Sequence, residues 1–282
     1  MTTVEAITRQ LNAMQQQNYE IGLHQGGEKE NVIPRVWNVD GVMKSLGWLR
    51  HSNAHNRDIW IRPYGEHNLT LIDDVKMPML QTMKDQGFQP AAVVETSPHN
   101  FQVWLNHGVK LGKELSTYVA GKLARRFDGD TSSADWRHFG RLAGFTNRKE
   151  KYMDEKGLFP YVLLREAKGQ VYEQAESFIH QSAQEWKLIL EKRQSYRPSA
   201  HIGGMPTSLK TIEQFRSDPR YGGDMHRSDQ AYAVYAMGNG VADAEIARAI
   251  ASRDLKHKGP PVRQEGYIAR TLDKARSRSL GR

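Results

Sequence analysis

The sequence has no cysteine among its 282 residues. This absence excludes disulfides, thiolate catalysis, iron–sulfur clusters and zinc ribbons. A metal site would therefore have to use carboxylates, histidine or backbone oxygens. Carboxylates favour hard ions such as Mg²⁺ or Mn²⁺, so these are the metals we expect.

Long apolar runs are also missing. No stretch approaches the roughly 18 apolar residues that a membrane span requires. The first 17 residues include Glu5 and several glutamines, and they lack the basic start and apolar stretch of a signal peptide. We expect a protein that is not exported, does not enter a membrane and works in the cytoplasm.

Acidic residues are the scarcer charge. Lys and Arg number 40 against 32 Asp and Glu, which gives a formal net charge of +8 and a pI near 9.5. Clustered cations bind polyanions by releasing counterions from phosphates, so a nucleic-acid partner fits this balance. A basic surface that only solvates the protein fits the charge equally well.

The apolar pattern alternates between strand and helix periods and predicts an α+β fold rather than a parallel sheet. A capping box at Thr2 and Glu5 predicts an N-terminal helix. Asp40 precedes a second predicted helix. Strands are predicted near 19–23 and at 58–62, 68–75, 91–96, 101–105 and 159–166, and further helices at 79–86, 111–123 and 171–193. Turn-forming residues at 97–100 predict a hairpin.

The hydrophobic pattern changes to helical spacing after Gly169. This pattern predicts a small all-α bundle in the C-terminal part of the chain. Residues 197–208 are rich in Pro and Gly and are typical of a linker. We expect Asp229 and Asp243 to cap two helices of the bundle. The predicted organisation is a domain at 1–169, a connecting helix and linker at 170–206, and a helical bundle at 207–282.

Two acidic groups could carry chemistry. Asp73 and Asp74 end a predicted strand, and Asp130 follows a long helix in the sequence DGD. Adjacent carboxylates are stabilised when a cation bridges them, and three could hold two metal ions for phosphoryl displacement. Neighbouring strand residues face opposite sides, so Asp73 and Asp74 share one site only if the strand breaks or bulges. The alternatives are an Asp pair that caps a turn and a plain DGD loop.

Two polar segments could bind phosphate. Residues 96–100 supply hydroxyls, an amide and turn N–H groups, and Gln102 follows on the strand. Residues 137–149 combine several cations with glycines and aromatics, which suits triphosphate or nucleic-acid contact. A basic surface loop is the competing interpretation.

Together these motifs resemble a known family. The order LIDD (71–74), VETSPHNFQVW (94–104), DGD (128–130) and HFGRLAGFTNRK (138–149) is similar to the RepB-type primases of mobilisable plasmids, in the archaeo-eukaryotic primase superfamily. The resemblance covers roughly residues 2–169 and continues more weakly into the tail. It implies a modified RNA-recognition-type (RRM-like) catalytic domain followed by a helical bundle.

The resemblance also implies roles for individual residues. Asp73, Asp74 and Asp130 match the metal-binding, catalytic aspartates. The predicted nucleotide-binding residues are Ser97, Asn100, Gln102, His138, Arg141, Asn147 and Lys149. Two positions depart from the wider superfamily. Gln102 stands where a phosphate-contacting His is usual, and the acids at 73 and 74 are adjacent, whereas one residue often separates them.

The resulting hypothesis is a DNA primase that uses Mg²⁺ or Mn²⁺ and nucleoside triphosphates on single-stranded DNA, in replication of a plasmid or another mobile element. The C-terminal bundle is expected to grip the template, and a replicative helicase is a further candidate partner. One alternative is a non-catalytic initiator that binds single-stranded or origin DNA. A rolling-circle nickase is disfavoured because no His-x-His motif occurs.

Overall fold

The computed structural model of the protein describes residues 1–25, 34–195 and 209–279. The chain divides into two compact units, Met1–Leu190 and Glu191–Arg282. No helix in those described ranges is both long and apolar enough to cross a lipid bilayer. The linker predicted at 197–208 lies outside the described residues, and the predicted boundaries at 169 and 207 stay predictions.

Unit 1 contains two antiparallel four-stranded sheets. Its strands are β1 (Tyr19–Gln25), β2 (Arg35–Trp37), β3 (Arg57–Pro63), β4 (Leu69–Val75), β5 (Ala92–Ser97), β6 (Asn100–Asn106), β7 (Gly140–Arg141) and β8 (Leu163–Ala167). The first sheet has the order β2-β1-β3-β7 and the second β4-β6-β5-β8. The predicted hairpin is present as β5 and β6, and the predicted α+β class is confirmed.

Among the helices described in unit 1, the first begins with the predicted capping box, which is confirmed. These helices are α1 (Thr3–Met14), α2 (Val39–Lys44), α3 (Leu46–Ala54), α4 (Met77–Asp85) and α5 (Lys113–Arg126), and α6 (Ala175–Ser195) begins in unit 1 and ends beyond Leu190. At the start of α1, the Glu5 amide donates to the Thr2 hydroxyl and the Thr2 amide donates to the Glu5 carboxylate. The single helix predicted after Asp40 is wrong, because the segment forms α2 and α3, which meet at Ser45.

Two apolar cores flank the second sheet. On one face, Phe101 and Val103 of β6 pack with residues of α4, α5 and α6. On the other, Trp104 packs with residues of the first sheet and of α1. Because strand side chains alternate, the polar Gln102 shares the face of Trp104 and points toward the first sheet. The second sheet therefore carries polar groups into the space between the two sheets.

All regular secondary structure in the described residues of unit 2 is helical, as predicted. Its helices are α7 (Ile212–Arg216), α8 (Met225–Gly238), α9 (Asp243–Ala251) and α10 (Pro261–Ser279). Ile212, Ala233, Ile246, Ile250 and Ala275 form its core.

The two capping predictions in unit 2 are wrong. Asp224 caps α8 by accepting hydrogen bonds from the next turn, and Asp229 lies fully buried inside that helix. The cap of α9 is Ala242, and Asp243 is the first helical residue. A favourable cap residue in the sequence does not begin a helix when another one lies a turn earlier or when burial supplies other partners.

Candidate active site

A bulge in β4 sets the position of the acidic pair. Ile72 pairs with Val103 and Val75 with Phe101, so Asp73 and Asp74 together face a single residue of β6. Asp74 has a φ of 61°, in the left-handed region that non-glycine residues seldom adopt. The Asp74 amide donates to Asp73 Oδ1 over 2.8 Å. The irregularity that both carboxylates need in order to share one site is therefore present.

The two carboxylates interact electrostatically. Burial raises the pKa of Asp73, and the adjacent charge of Asp74 raises it further, against the opposing effects of hydrogen bonds and His138. His138 Nε2 lies 3.9 Å from Asp73 Oδ2. The site thus holds negative charge that the surrounding protein does not fully compensate, and a bound cation would favour the ionised form.

The DGD turn after α5 packs directly on the bulge. The Asp130 amide donates to the carbonyl oxygen of Asp73 over 3.0 Å. A Cβ at Gly129 would lie 2.5 Å from Cγ2 of Ile72 and 2.9 Å from the Asp73 carbonyl oxygen. Only glycine therefore allows the turn to approach this closely.

The carboxylate of Asp130 has partners within its own turn. It accepts hydrogen bonds from the hydroxyls of Ser132 and Ser133, each over 2.7 Å. These bonds lower the pKa of Asp130. Across the described part of the chain, no three Asp, Glu or His side chains converge into one cluster. The structure brings the main chain of Asp130 to Asp73, and its carboxylate faces the two serines.

Polar residues of β6 connect to both acids. Asn100 Nδ2 donates to Asp74 Oδ1 over 2.6 Å, and its Oδ1 accepts from Lys76 Nζ over 2.7 Å. Gln102 forms a side-chain hydrogen bond with Asp73, and its Oε1 accepts the Arg141 amide over 2.7 Å. Lys76 was missed in the sequence, although its position two residues after Asp74 was a signal.

The guanidinium of Arg141 is buried in an ion pair. Its two terminal nitrogens lie 2.5 and 2.9 Å from the carboxylate oxygens of Asp58. Asp58 also accepts the Arg148 amide over 2.7 Å. The Arg141 amide therefore donates to Gln102, whereas its guanidinium is paired with Asp58. The triphosphate contact predicted for Arg141 stays a prediction, and this residue has a structural role as well.

The remaining predicted nucleotide residues gather near the end of β5. Buried Asn147 donates to the Thr96 carbonyl over 2.7 Å and accepts the Lys149 amide over 3.2 Å. The Lys149 side chain is exposed. Burial raises the pKa of Tyr152, but a hydrogen bond with Ser97 helps to lower it overall. Ser97 pairs with Asn100 across the hairpin, so this group adjoins the acidic pair.

The chain is similar to known proteins in both sequence and fold. Residues 38–194 match the model of the RepB DNA-primase N-terminal domain. Mobilization protein A of Escherichia coli is 34% identical over an alignment of 285 positions, which covers 96% of this chain and 40% of that protein. A DNA primase of Acidithiobacillus ferrooxidans is 33% identical over 146 residues, or 50% of this chain and 41% of that protein. The chain spans about two-fifths of the length of these two relatives.

Two crystal structures share the fold. One, of primase RepB', is 33% identical with a TM-score of 0.65 and covers 99% of this chain and 96% of its own. The other, the catalytic domain of primase RepB' in complex with initiator DNA, is 39% identical with a TM-score of 0.63 and covers 70% of this chain and all of its own. The family model matches more than half of the sequence, and the likeness to RepB' extends over nearly the whole chain. The chain belongs to the RepB-type primase family.

Proposed function

We propose that this chain is a DNA primase that joins nucleotides into short primers on single-stranded DNA, in replication of a plasmid or another mobile element. The observation that carries the proposal is the bulge in β4. It places two interacting carboxylates side by side, bonds them to polar residues of β6 and packs the DGD turn against them. This is the arrangement expected where a phosphate-bearing substrate is held with a cation.

The residues present fit Mg²⁺ or Mn²⁺. Asp73 and Asp74 supply hard oxygen donors. Burial and, second, the charge of Asp74 raise the pKa of Asp73, and a bound cation would favour its ionised form. Asp130 would have to exchange its hydrogen bonds with Ser132 and Ser133 for the ion. When bound, the metal would lower the pKa of the attacking hydroxyl and neutralise charge on the α-phosphate.

The chain's own side chains hold and orient the substrate in this proposal. Lys76, which Asn100 ties to Asp74, supplies a cation beside the acidic pair, and exposed Lys149 supplies another for the triphosphate. Gln102 fixes Asp73, because the Arg141 amide holds the oxygen end of the Gln102 side chain. Ser97 and Asn147 adjoin the acidic pair through the β5–β6 hairpin, and His138 lies within reach of Asp73.

Primer synthesis tests the proposal. The full chain is incubated with single-stranded DNA, labelled nucleotides and Mg²⁺ or Mn²⁺, and short products are resolved. Asp73→Asn and Asp74→Asn should reduce synthesis at least about a hundredfold, since metal charge stabilisation is worth several kcal/mol. Asp128→Asn is the matched control, because Asp128 is exposed in the neighbouring turn with a φ of 50°, which Asn tolerates.

A second readout is independent of turnover. Mn²⁺ should raise the melting temperature of the wild type and of Asp128→Asn, but not that of Asp73→Asn. In EDTA, Asp74→Asn should melt higher than the wild type, because it removes the charge that disfavours ionised Asp73. Wild-type synthesis by both active-site variants would refute the catalytic assignment. DNA binding without any synthesis would instead favour the non-catalytic initiator.

A further inference from the structure

A groove of about 1290 Å³ crosses the surface of unit 2. It is lined by residues of α7, α8 and α10 and of the short turn at Pro219–Tyr221. Small-molecule pockets are typically about 300–1,000 Å³ and largely enclosed. This groove is larger and lies on the surface, so its dimensions suit a polymer better than a single nucleotide.

The lining of the groove is charged with one sign. It has six Lys or Arg side chains and no Asp or Glu: Lys210, Arg220, Arg227, Arg270, Lys274 and Arg278. Residues 209–279 as a whole contain 13 Lys or Arg and 9 Asp or Glu. A random distribution of these charges would place several carboxylates in the groove.

Three carboxylates of the bundle have partners near the groove. Asp229 is fully buried, with Arg216 and Arg253 on its two oxygens at 3.0 and 2.8 Å. Asp224 caps α8. Two carboxylates act on the lining itself. Asp218 pairs with Arg220 over 2.6 Å and its charge also acts on Lys210, and the charge of Asp224 acts on Arg227. Six Lys or Arg side chains against these two carboxylates leave the lining net positive.

Aromatic rings alternate with these cations. Phe215 and Tyr221 lie nearly parallel with centroids 6.3 Å apart, and Tyr235 lies 5.3 Å from Phe215. All three rings are half-buried, so they combine a packed edge with an accessible part. At the other side, the Tyr267 hydroxyl is held by Asp229 over 2.8 Å, which fixes that ring.

We propose that this groove binds single-stranded DNA. Cations that track a backbone, with aromatic rings on which bases stack, are the recurring composition of single-strand sites. A duplex hides its base faces and would leave the rings unused, and an acidic peptide would need the cations alone. The sequence predicted that the bundle grips template, and the structure assigns that contact to this groove. The choice of ligand rests on the proposed function.

Binding of the full chain to a fluorescein-labelled oligo-dT, in EDTA and without nucleotides, tests the groove as salt is varied. Arg227→Gln with Arg270→Gln should weaken binding at least about tenfold. It should also reduce the slope of log K against log salt by about 1.4, because two phosphate contacts are lost and each contributes about 0.7 in single strands. The matched control is Arg248→Gln with Arg263→Gln, which removes the same charge from exposed sites outside the groove.

Equal effects of the two double variants on oligo-dT would overturn the proposal. Equal loss of duplex and single-strand binding by the groove variant would refute the single-strand assignment. As a direct readout, a strand containing 5-iodouracil should cross-link on irradiation to Tyr221 or Tyr235, whereas adducts confined to unit 1 would count against the groove. Because this binding assay needs neither metal nor nucleotides, failure of the groove and failure of the primase proposal are distinguishable.

Discussion

Arg141 and Lys149 belong to one motif in the sequence, and the structure gives their side chains different surroundings. Arg141 and Asp58 are both about 95% or more buried, and Lys149 is exposed. Removing one partner of a buried ion pair leaves an uncompensated charge, which typically costs about 3–5 kcal/mol. A surface substitution usually changes stability by less than about 0.5 kcal/mol.

We therefore predict that Arg141→Ala lowers the free energy of unfolding by about 3–5 kcal/mol. Lys149→Ala should leave stability unchanged and weaken apparent nucleotide affinity at least tenfold, since a charge-assisted contact is worth about 1.5–3 kcal/mol. Urea unfolding and nucleotide titration of primer synthesis measure the two effects, with exposed Lys156→Ala as the control. If Arg141→Ala were fully stable but lost nucleotide affinity, its predicted triphosphate contact would be the better explanation.

A buried histidine makes unit 1 sensitive to acid. His107 Nε2 lies 2.7 Å from the Thr70 hydroxyl and Nδ1 lies 3.0 Å from the Tyr172 hydroxyl. Burial, with a smaller effect of His67, lowers the pKa of His107 from 6.5 to about 3. Between these values the unfolded chain binds a proton that the folded chain does not. The free energy of unfolding therefore keeps its full value above pH 6.5 with respect to His107, and it decreases as the pH falls toward 3.

The expected loss from His107 approaches about 1.4 kcal/mol per pH unit below its unfolded pKa. We predict that His107→Gln is less stable than the wild type at pH 7 and loses less stability between pH 7 and pH 5. Urea unfolding of unit 1 at several pH values provides the measurement, and parallel pH profiles for wild type and His107→Gln would contradict the prediction.

At the scale of elements, a single substitution at Gly129 should disturb the contact between the DGD turn and the β4 bulge. Gly129→Ala should cost about 1–3 kcal/mol by overpacking against Ile72 and Asp73. It should also reduce primer synthesis by about a hundredfold, because a displacement of about 1 Å near reacting groups has that effect.

Gly47→Ala is the matched control for that substitution. A Cβ at Gly47 meets nothing within 4 Å, and the residue lies in α3, where alanine should stabilise the helix. Normal activity of a stable Gly129→Ala variant would show that the turn does not have to touch the bulge.

Elements with local signals could be predicted from the sequence. Alternating residues predicted β1, strand-like runs predicted β3, β4, β5, β6 and β8, and the capping box predicted α1. The two short strands β2 and β7, of three and two residues, were not predicted, because so few residues establish no period. The need for a bulge followed from strand geometry, but no local signal showed that Asp74 would adopt the left-handed conformation.

Long-range partners could not be predicted. Asp58 is 83 residues from Arg141, and Asp229 is held by arginines that precede and follow it. Sequence spacing says nothing about such pairs, so Asp229 was assigned to a helix cap and Arg141 to a phosphate. Ser97 and Asn100 meet across one hairpin turn and were within reach of the sequence motifs. The contacts of Asn100 with Asp74 and Lys76 span 26 and 24 residues.

At the scale of the whole molecule, the two units have separate apolar cores. Residues of unit 2 alone form the core of the bundle, and the two cores beside the second sheet are formed by residues of unit 1. A unit with its own core can in principle fold alone. All of the predicted catalytic and nucleotide-binding residues lie in unit 1, and the basic groove lies in unit 2.

We predict that the two parts of the chain divide the work. A fragment of residues 1–193 should keep the acidic pair and the nucleotide residues, and should join nucleotides at high DNA concentration. A fragment of residues 207–282 should be catalytically inert but bind single-stranded DNA with an affinity that falls as salt rises. The two fragments are assayed separately, then mixed, after their folding is verified by circular dichroism. If the first fragment folds yet makes no primer at any template concentration, the bundle must complete the active site. In that case the division of labour is wrong, while the assignment of the acidic pair still depends on the Asp73 and Asp74 variants of the full chain.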